Sequence, residues 1–119
     1  MKKVGFIGLG NMGARMATLL LEAEYEVIGH DINEEFINQL LPKGLKKAFS
    51  LNDISKEANI IITMLPNGEI VEEVLDSFLD NLRPGTLIVD CSTIDVDKAK
   101  ELHKKCEDLK LLFLDAPVS

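Results

Sequence analysis

The chain has few basic residues, few cysteines and no long apolar run, and each shortage excludes a class of function. Its 119 residues carry 13 Lys and Arg against 20 Asp and Glu, for a net charge of −7. Nucleic-acid binding needs a basic surface, so this balance argues against a polyanionic partner. Two cysteines provide no disulfide framework, which favours a cytoplasmic protein. No apolar run reaches the ~20 residues of a membrane span, so we expect no membrane partner.

The remaining composition is that of an ordinary globular protein. Hydrophobic residues make up 46% and charged residues 28% of the chain, close to the averages for folded domains. A chain of this length buries roughly two-thirds of the surface that its unfolded form exposes. No repeat or linker divides it, so we expect a single domain over residues 1–119.

Strand-like and helix-like patterns alternate along the whole chain. Short apolar segments predict strands at residues 3–7, 26–30, 47–49, 60–63, 86–91 and 111–114. Residues 60–63 are β-branched without alternation, which predicts a strand buried on both faces. The alternation is typical of an α/β fold in which helices cover both faces of a doubly wound parallel sheet of about six strands, the Rossmann architecture.

The intervening segments predict helices with one apolar face each. Asn33 is a predicted N-cap, and Ser50 and Asp53 have the spacing of a capping box for a short helix. The predicted apolar faces are Met12, Met16, Leu19 and Leu20; Phe36, Ile37, Leu40 and Leu41; a long amphipathic helix from Ile70 to Leu82; and Val96, Ala99, Leu102, Cys106 and Leu109.

A glycine-rich turn joins the first predicted strand to the first predicted helix. Gly8, Gly10 and Gly13 fit the pattern G-x-G-x-x-G. In this pattern the first glycine permits a tight turn, the second lets the backbone approach a pyrophosphate, and the third lets the helix pack on the strand. The N–H groups and positive dipole end of the helix then face the phosphates. Because such turns also occur for packing alone, the pattern needs support from its surroundings.

That support comes from Asp31, at the end of the second predicted strand and about 20 residues past the turn, where an acid holds the ribose hydroxyls of a dinucleotide. The alternative is that Asp31 only caps or solvates the strand end. A carboxylate here repels a 2′-phosphate, and no arginine follows within Ile32, Asn33 and Glu34. The pattern therefore predicts NAD as the cofactor, with NADP possible.

Other reactive residue types are assigned ordinary structural roles. We expect His30 to pack at a strand end, His103 to be solvated, Cys91 to be a buried free thiol and Cys106 to lie in the core. The acids of the fourth helix are interpreted as a solvated face: Glu69, Glu72, Glu73, Asp76 and Asp80. We predict no metal site and no Ser/His/Asp triad.

Four segments together resemble one family. They are VGFIGLGNMGARMA (residues 4–17), TMLPN (63–67), DCSTID (90–95) and DAPVS (115–119). In this order they are similar to the N-terminal NAD-binding domain of the β-hydroxyacid dehydrogenases. Members of that family include 3-hydroxyisobutyrate dehydrogenase, tartronate semialdehyde reductase and glyoxylate/succinic semialdehyde reductase. The enzyme 6-phosphogluconate dehydrogenase is a more distant relative.

The resemblance implies a role for individual positions. The pyrophosphate would lie on Gly8, Gly10, Asn11, Met12 and Gly13, and the adenosine ribose would lie on Asp31. The length of the cofactor would run along Met64, Leu65 and Pro66, with the adenine side near Ile70. The nicotinamide ribose would lie near Thr93, and the substrate would lie at Ser119.

The resemblance also implies a reaction that this chain does not complete. Family members move a hydride between nicotinamide and a small 3-hydroxy acid or semialdehyde, while a lysine beyond the position of Ser119 handles the hydroxyl proton. Lys98, Lys100, Lys104 and Lys105 match no catalytic position. We therefore expect the chain alone to bind cofactor without turnover, with no catalytic residue of its own. Self-association through the surface left by the missing helical domain is a further expectation.

Two other functions share the glycine turn and the acid. A stand-alone nucleotide-sensing module of a channel or transporter has both features, but it has no need of segments such as TMLPN, DCSTID and DAPVS. An S-adenosylmethionine methyltransferase also shares them, yet a helix N-terminus suits a pyrophosphate better than a sulfonium cation.

Overall fold

The computed structural model describes residues 3–118, in which six parallel strands form one sheet in the order β3-β2-β1-β4-β5-β6. The strands are β1 (Lys3–Ile7), β2 (Glu26–His30), β3 (Lys46–Lys47), β4 (Ile60–Thr63), β5 (Leu87–Asp90) and β6 (Leu112–Asp115). The chain starts in the middle of the sheet, moves outward to β3 and returns to β4 beside β1. The predicted doubly wound α/β fold is confirmed, and its switch point lies between β1 and β4.

Five α-helices connect these strands in the described part of the chain. They are α1 (Asn11–Glu22), α2 (Glu34–Leu40), α3 (Leu51–Glu57), α4 (Gly68–Asp76) and α5 (Val96–Asp108), with 3₁₀ turns at Leu41–Lys43 and Leu79–Asn81. None of these helices combines the length and hydrophobicity that crossing a bilayer requires.

Two apolar clusters show that helices cover both faces of the sheet. One cluster joins strand residues such as Ile61 and Ile88 to α3, α4 and α5. The other joins Phe6 and Val27 to α1 and α2. Because α1 and α2 lie over the β1–β2 half, the same face of β5 and β6 has less cover. Leu112 and Leu114 are 59% and 52% exposed there.

Helix α1 packs through small residues rather than through the predicted large ones. Gly13 and Ala17 are its buried residues, whereas Met12 is 39% and Leu19 is 65% exposed. Small side chains bring the α1 backbone close to β1, so the apolar face turns toward Gly13 and Ala17. The prediction was wrong for Met12 and Leu19, while Met16 and Leu20 do pack partly against the cluster.

The predicted faces of α2 and α5 are confirmed at their centres and fail at their ends. Ile37 and Leu40 are buried in α2, and Leu102 and Cys106 are buried in α5. Three residues that were predicted to lie on a buried face are exposed instead, and each lies at or beyond a helix terminus. Leu41 is 41%, Val96 is 69% and Leu109 is 37% exposed.

The predicted helix from Ile70 to Leu82 is shorter than its apolar spacing indicates. Helix α4 ends at Asp76, and the Ser77 hydroxyl donates to the carbonyl oxygen of Val74 at 2.6 Å. Such a side-chain bond competes with the helical backbone pattern. The chain then turns at Phe78, which has φ −145°, into the 3₁₀ turn Leu79–Asn81. Phe78 still reaches the core, which explains why its spacing looked helical.

Two strand predictions also need correction. Strand β3 is Lys46–Lys47 instead of residues 47–49, and the Phe49 side chain is 81% exposed. In β4, Ile61 is buried but Ile60 and Ile62 are only partly buried, so the strand alternates. Ile61 belongs to the cluster with α3, α4 and α5, whereas Ile62 is a partly buried neighbour of the cluster with α1 and α2.

Candidate functional site

The glycine turn lies at the switch point, between the carboxyl ends of β1 and β4. The Gly8 N–H donates to the carbonyl oxygen of His30 at 3.0 Å, and Met64 N–H donates to that of Ile7 at 2.9 Å. Gly8 has φ +100°, and a Cβ on it would collide with the Met64 carbonyl oxygen. Both the backbone conformation and the close approach therefore require glycine at position 8.

Gly13 is required by packing within the turn. A Cβ built on it would collide with the carbonyl oxygen of Gly8 and would lie 3.3 Å from the Phe6 ring. The third glycine of the pattern therefore fixes how closely α1 approaches β1, as the sequence predicts.

Gly10 differs from both, because nothing in the described chain requires glycine there. Its φ is −69° with ψ −166°, an extended conformation open to any residue. A Cβ built on Gly10 would meet no atom within 4 Å. The space that a side chain would fill lies in front of the N-terminus of α1. This open space fits a group supplied from outside the chain, and a pyrophosphate is the group that the pattern predicts.

The N-terminus of α1 has unused capacity for an anion. Its first intrahelical bond runs from Ala14 N–H to the Gly10 carbonyl oxygen at 2.7 Å, which leaves the N–H groups of Asn11, Met12 and Gly13 without an acceptor in the helix. Within residues 3–118, α1 has neither a side-chain cap nor an acid in its first turn.

The later helices differ from α1 in this respect. Asn33, Asn67 and Asp95 cap α2, α4 and α5 by accepting from backbone N–H groups. Each of these side chains occupies one N-terminal donor of its own helix, so α1, which has no such cap, is the helix end best suited to hold phosphate oxygens.

Asp31 is bonded to the glycine turn itself. Its Oδ2 accepts from the Leu9 N–H at 2.7 Å, and its Oδ1 accepts from the Asn33 N–H at 2.9 Å. The carboxylate thus has the local capping role considered as the alternative. Each carboxylate oxygen has a second lone pair, so the same group can also accept from a ribose hydroxyl.

The other predicted contacts lie along the same edge, after β4 and β5. Met64, Leu65 and Ile70 are partly buried, while Pro66 and Thr93 are exposed. The Leu65 N–H donates to the Ser92 hydroxyl oxygen at 2.8 Å, which ties the segment after β4 to the segment after β5. Ser119 lies outside the described residues.

A buried polar group below these segments was missed by the sequence reasoning. Asp90 is fully buried at the end of β5, and its Oδ1 accepts from the Thr63 hydroxyl at 2.8 Å and the Ser92 N–H at 3.2 Å. Burial raises the pKa of the Asp90 carboxyl, although these hydrogen bonds oppose the shift. The available signal was an acid ending an otherwise apolar strand.

The residues assigned ordinary roles mostly have them. The His30 Nδ1 lies 3.4 Å from the carbonyl oxygen of Ala48, and His103 is exposed beside Glu107. Both cysteines are buried and free. Burial raises the pKa of the Cys91 thiol, and the nearby Asp90 adds to the effect. Burial also raises the pKa of Cys106 to about 11, so neither thiol is activated.

Glu72 corrects the prediction of a solvated acidic face on α4. Its carboxylate oxygens accept from Lys98 and Lys105 of α5, each at 2.8 Å. These bonds lower the pKa of Glu72 to about 2. The two helices are therefore joined by ion pairs. Residues 3–118 hold no group of three His, Cys, Asp or Glu side chains placed to bind a metal ion.

Comparison with known proteins gives consistent relatives over the whole chain. The profile of a family described as the NAD binding domain of 6-phosphogluconate dehydrogenase matches residues 3–119. The NAD-dependent L-serine dehydrogenase of Pseudomonas aeruginosa is 40% identical over 122 residues, covering 100% of this chain and 41% of the relative. The mitochondrial 3-hydroxyisobutyrate dehydrogenase of Drosophila melanogaster is 39% identical, covering 99% of this chain and 37% of the relative.

A solved structure gives the same result in three dimensions. The 3-hydroxyisobutyrate dehydrogenase of Mycobacterium tuberculosis, solved with L-serine, superimposes with a TM-score of 0.96 at 40% identity, covering 100% of this chain and 41% of that one. The chain thus spans about two-fifths of the length of these relatives.

Proposed function

The chain belongs to the family of NAD-binding domains of 6-phosphogluconate dehydrogenase, and we propose that it binds a nicotinamide dinucleotide along the carboxyl ends of its strands. The family is described as NAD-binding, so NAD is the first candidate for this chain and NADP the second. The proposal treats residues 1–119 as one dinucleotide-binding domain. The observation that carries it is the N-terminus of α1, which has neither a side-chain cap nor an acid in its first turn and has open space at Gly10.

The proposed contacts follow from the placement of the groups. The N–H groups of Asn11, Met12 and Gly13 hold the pyrophosphate, because they are the donors that α1 leaves free. Gly8 forms the turn beneath it, and Asp31 accepts from the adenosine ribose. No lysine or arginine is needed, which agrees with the net charge of −7.

The remaining contacts lie after β4 and β5. Met64, Leu65 and Pro66 line the length of the cofactor, Ile70 lies near the adenine side, and Thr93 approaches the nicotinamide ribose. Ser119 opens the substrate segment in this proposal.

For the longer protein we propose hydride transfer between nicotinamide and a small 3-hydroxy acid or semialdehyde, in the cytoplasm. Bound NAD supplies the hydride acceptor at its nicotinamide ring. This chain contributes cofactor binding. Of the four lysines on α5, Lys98 and Lys105 form ion pairs with Glu72, and the proposal assigns none of the four a role in proton transfer. We therefore expect no turnover from the chain alone.

The proposal is tested by titrating the chain with NADH and NADPH and following nicotinamide fluorescence. We expect NADH to bind more tightly, because the Asp31 carboxylate accepts from the ribose and repels a 2′-phosphate. Asp31→Ala should weaken NADH binding about tenfold, the worth of a hydrogen bond to a charged group. The same substitution should reduce the factor by which the chain binds NADH more tightly than NADPH.

The ratio of the two affinities serves as the internal control, since damage to the glycine turn lowers both together. An Asp31→Ala chain with an unchanged ratio would contradict the role of Asp31. A wild-type chain that binds neither dinucleotide would contradict the proposed function, and assembly driven by another nucleotide would favour a sensing module.

A further inference from the structure

The Asp90 carboxyl is an unusual group for the interior of this fold. Among residues 3–118 it is the one charged side chain in the buried class, with 0% exposure. Its Oδ1 accepts from the Thr63 hydroxyl at 2.8 Å and from the Ser92 N–H at 3.2 Å. One oxygen atom therefore joins the last residue of β4 to the segment that follows β5.

The connection continues through Ser92 to the surface of the candidate site. The Ser92 side chain is buried, and its hydroxyl oxygen accepts from the Leu65 N–H at 2.8 Å. Thr63 directly precedes Met64, and Ser92 directly precedes Thr93. Asp90 is thus connected, through Thr63 and Ser92, to residues proposed to contact the dinucleotide.

The second carboxyl oxygen shows that the group is not optimised for stability. Asp90 Oδ2 is buried and has no hydrogen-bond partner among the described residues. Asp115, the neighbour of Asp90 in the β5–β6 register, adds an unfavourable like charge. An apolar residue at this position would avoid both costs. A buried group retained at such a cost calls for another explanation.

We propose that Asp90 is a positioning residue for the nicotinamide end of the dinucleotide site. Its Oδ1 holds Ser92, and with it the neighbouring Thr93, against the end of β4 without touching the dinucleotide. The proposal rests on the proposed function. It places the effect at one end of the site, because Asp31 and the glycine turn, which hold the ADP half, belong to β1, β2 and α1 and share no hydrogen bond with Asp90 among residues 3–118.

The test compares NADH with ADP, which lacks nicotinamide and its ribose, by titration calorimetry on the wild-type, Asp90→Ala and Asp90→Asn chains. We expect Asp90→Ala to lose at least about tenfold in NADH affinity, with ADP affinity changed less than about twofold. Asp90→Asn should restore NADH affinity to within about threefold of the wild type, because its amide oxygen accepts from Thr63 and Ser92 as Oδ1 does.

Two results would overturn the proposal. Equal losses for NADH and ADP would make Asp90 a general structural residue. A loss in Asp90→Asn as large as in Asp90→Ala would show that charge, not acceptor geometry, is what matters.

If Asp90→Ala does not fold, Ser92→Ala carries the test, because it removes the acceptor of the Leu65 N–H and leaves the Asp90 carboxyl in place. The same selective loss of NADH affinity is expected, and an unchanged ratio of NADH to ADP affinity refutes the proposal. A wild-type chain that binds ADP and NADH separates these outcomes from failure of the proposed function.

Discussion

Replacing Gly10 with serine separates the folding and binding roles of the glycine turn. Position 10 is the N-cap of α1, its backbone is extended, and a Cβ there meets no atom within 4 Å. Serine is a better N-cap than glycine by a few tenths of a kcal/mol. We therefore expect Gly10→Ser to raise the melting temperature by about 1–2 °C. Stability should not fall.

Dinucleotide binding should move in the opposite direction. The serine side chain occupies the space in front of α1, and its oxygen accepts from the N–H groups that we assign to the pyrophosphate. Each hydrogen bond to a charged group contributes ~1.5–3 kcal/mol, so losing one or two lowers NADH affinity by about 10-fold to 100-fold or more.

The assay pairs thermal melts with NADH titration, and Gly13→Ala is the matched control. A Cβ on Gly13 collides with the Gly8 carbonyl oxygen, so this variant should lose stability and binding together. If Gly10→Ser binds NADH as well as the wild type does, the space in front of α1 is not the pyrophosphate site. If Gly10→Ser melts far below the wild type, glycine at position 10 serves folding after all.

Two further predictions concern stability and association. The pKa of Glu72 is lowered from 4.5 to about 2 by its bonds to Lys105 and Lys98, so the ion pairs stabilise the fold above pH 4.5 and lose their effect as the pH falls toward 2. Glu72→Gln should lower the melting temperature at pH 7, and the difference in melting temperature between wild type and variant should shrink below pH 4.5. A difference that stays constant down to pH 3 would refute this. The exposed Leu112 and Leu114 are the expected self-association surface, so sedimentation velocity should show a concentration-dependent dimer. Leu114→Lys should abolish that dimer. A wild-type chain that stays monomeric at all concentrations would contradict the prediction.

The order of strands and helices could be predicted because local patterns determine it. Glycine and proline break the chain between apolar segments of distinct period. The helix ends could not be predicted as well, because they depend on competing local bonds. The Ser77 hydroxyl ends α4 by bonding to Val74, whereas the apolar spacing continues to Leu82.

The faces of the helices depend on partners that the sequence does not specify. Periodicity favours the large residues Met12 and Leu19, but α1 approaches the sheet through Gly13 and Ala17. The predicted site residues within 3–118 come together at one edge because parallel strands place their carboxyl ends side by side. The Asp90 network stayed hidden because its members are far apart in sequence and joined only through the β4–β5 register.

Asp31 makes the cofactor preference of this fold difficult to redesign. A change toward NADP removes the acid that would repel the 2′-phosphate. The same Asp31 carboxylate accepts hydrogen bonds from the N–H groups of Leu9 and Asn33. A replacement without an acceptor oxygen, such as alanine or arginine, leaves these two donors without their acceptors beside the turn proposed to hold the phosphates. With such a replacement we expect an exchange of cofactor to need a second substitution that rebuilds the support beneath the turn.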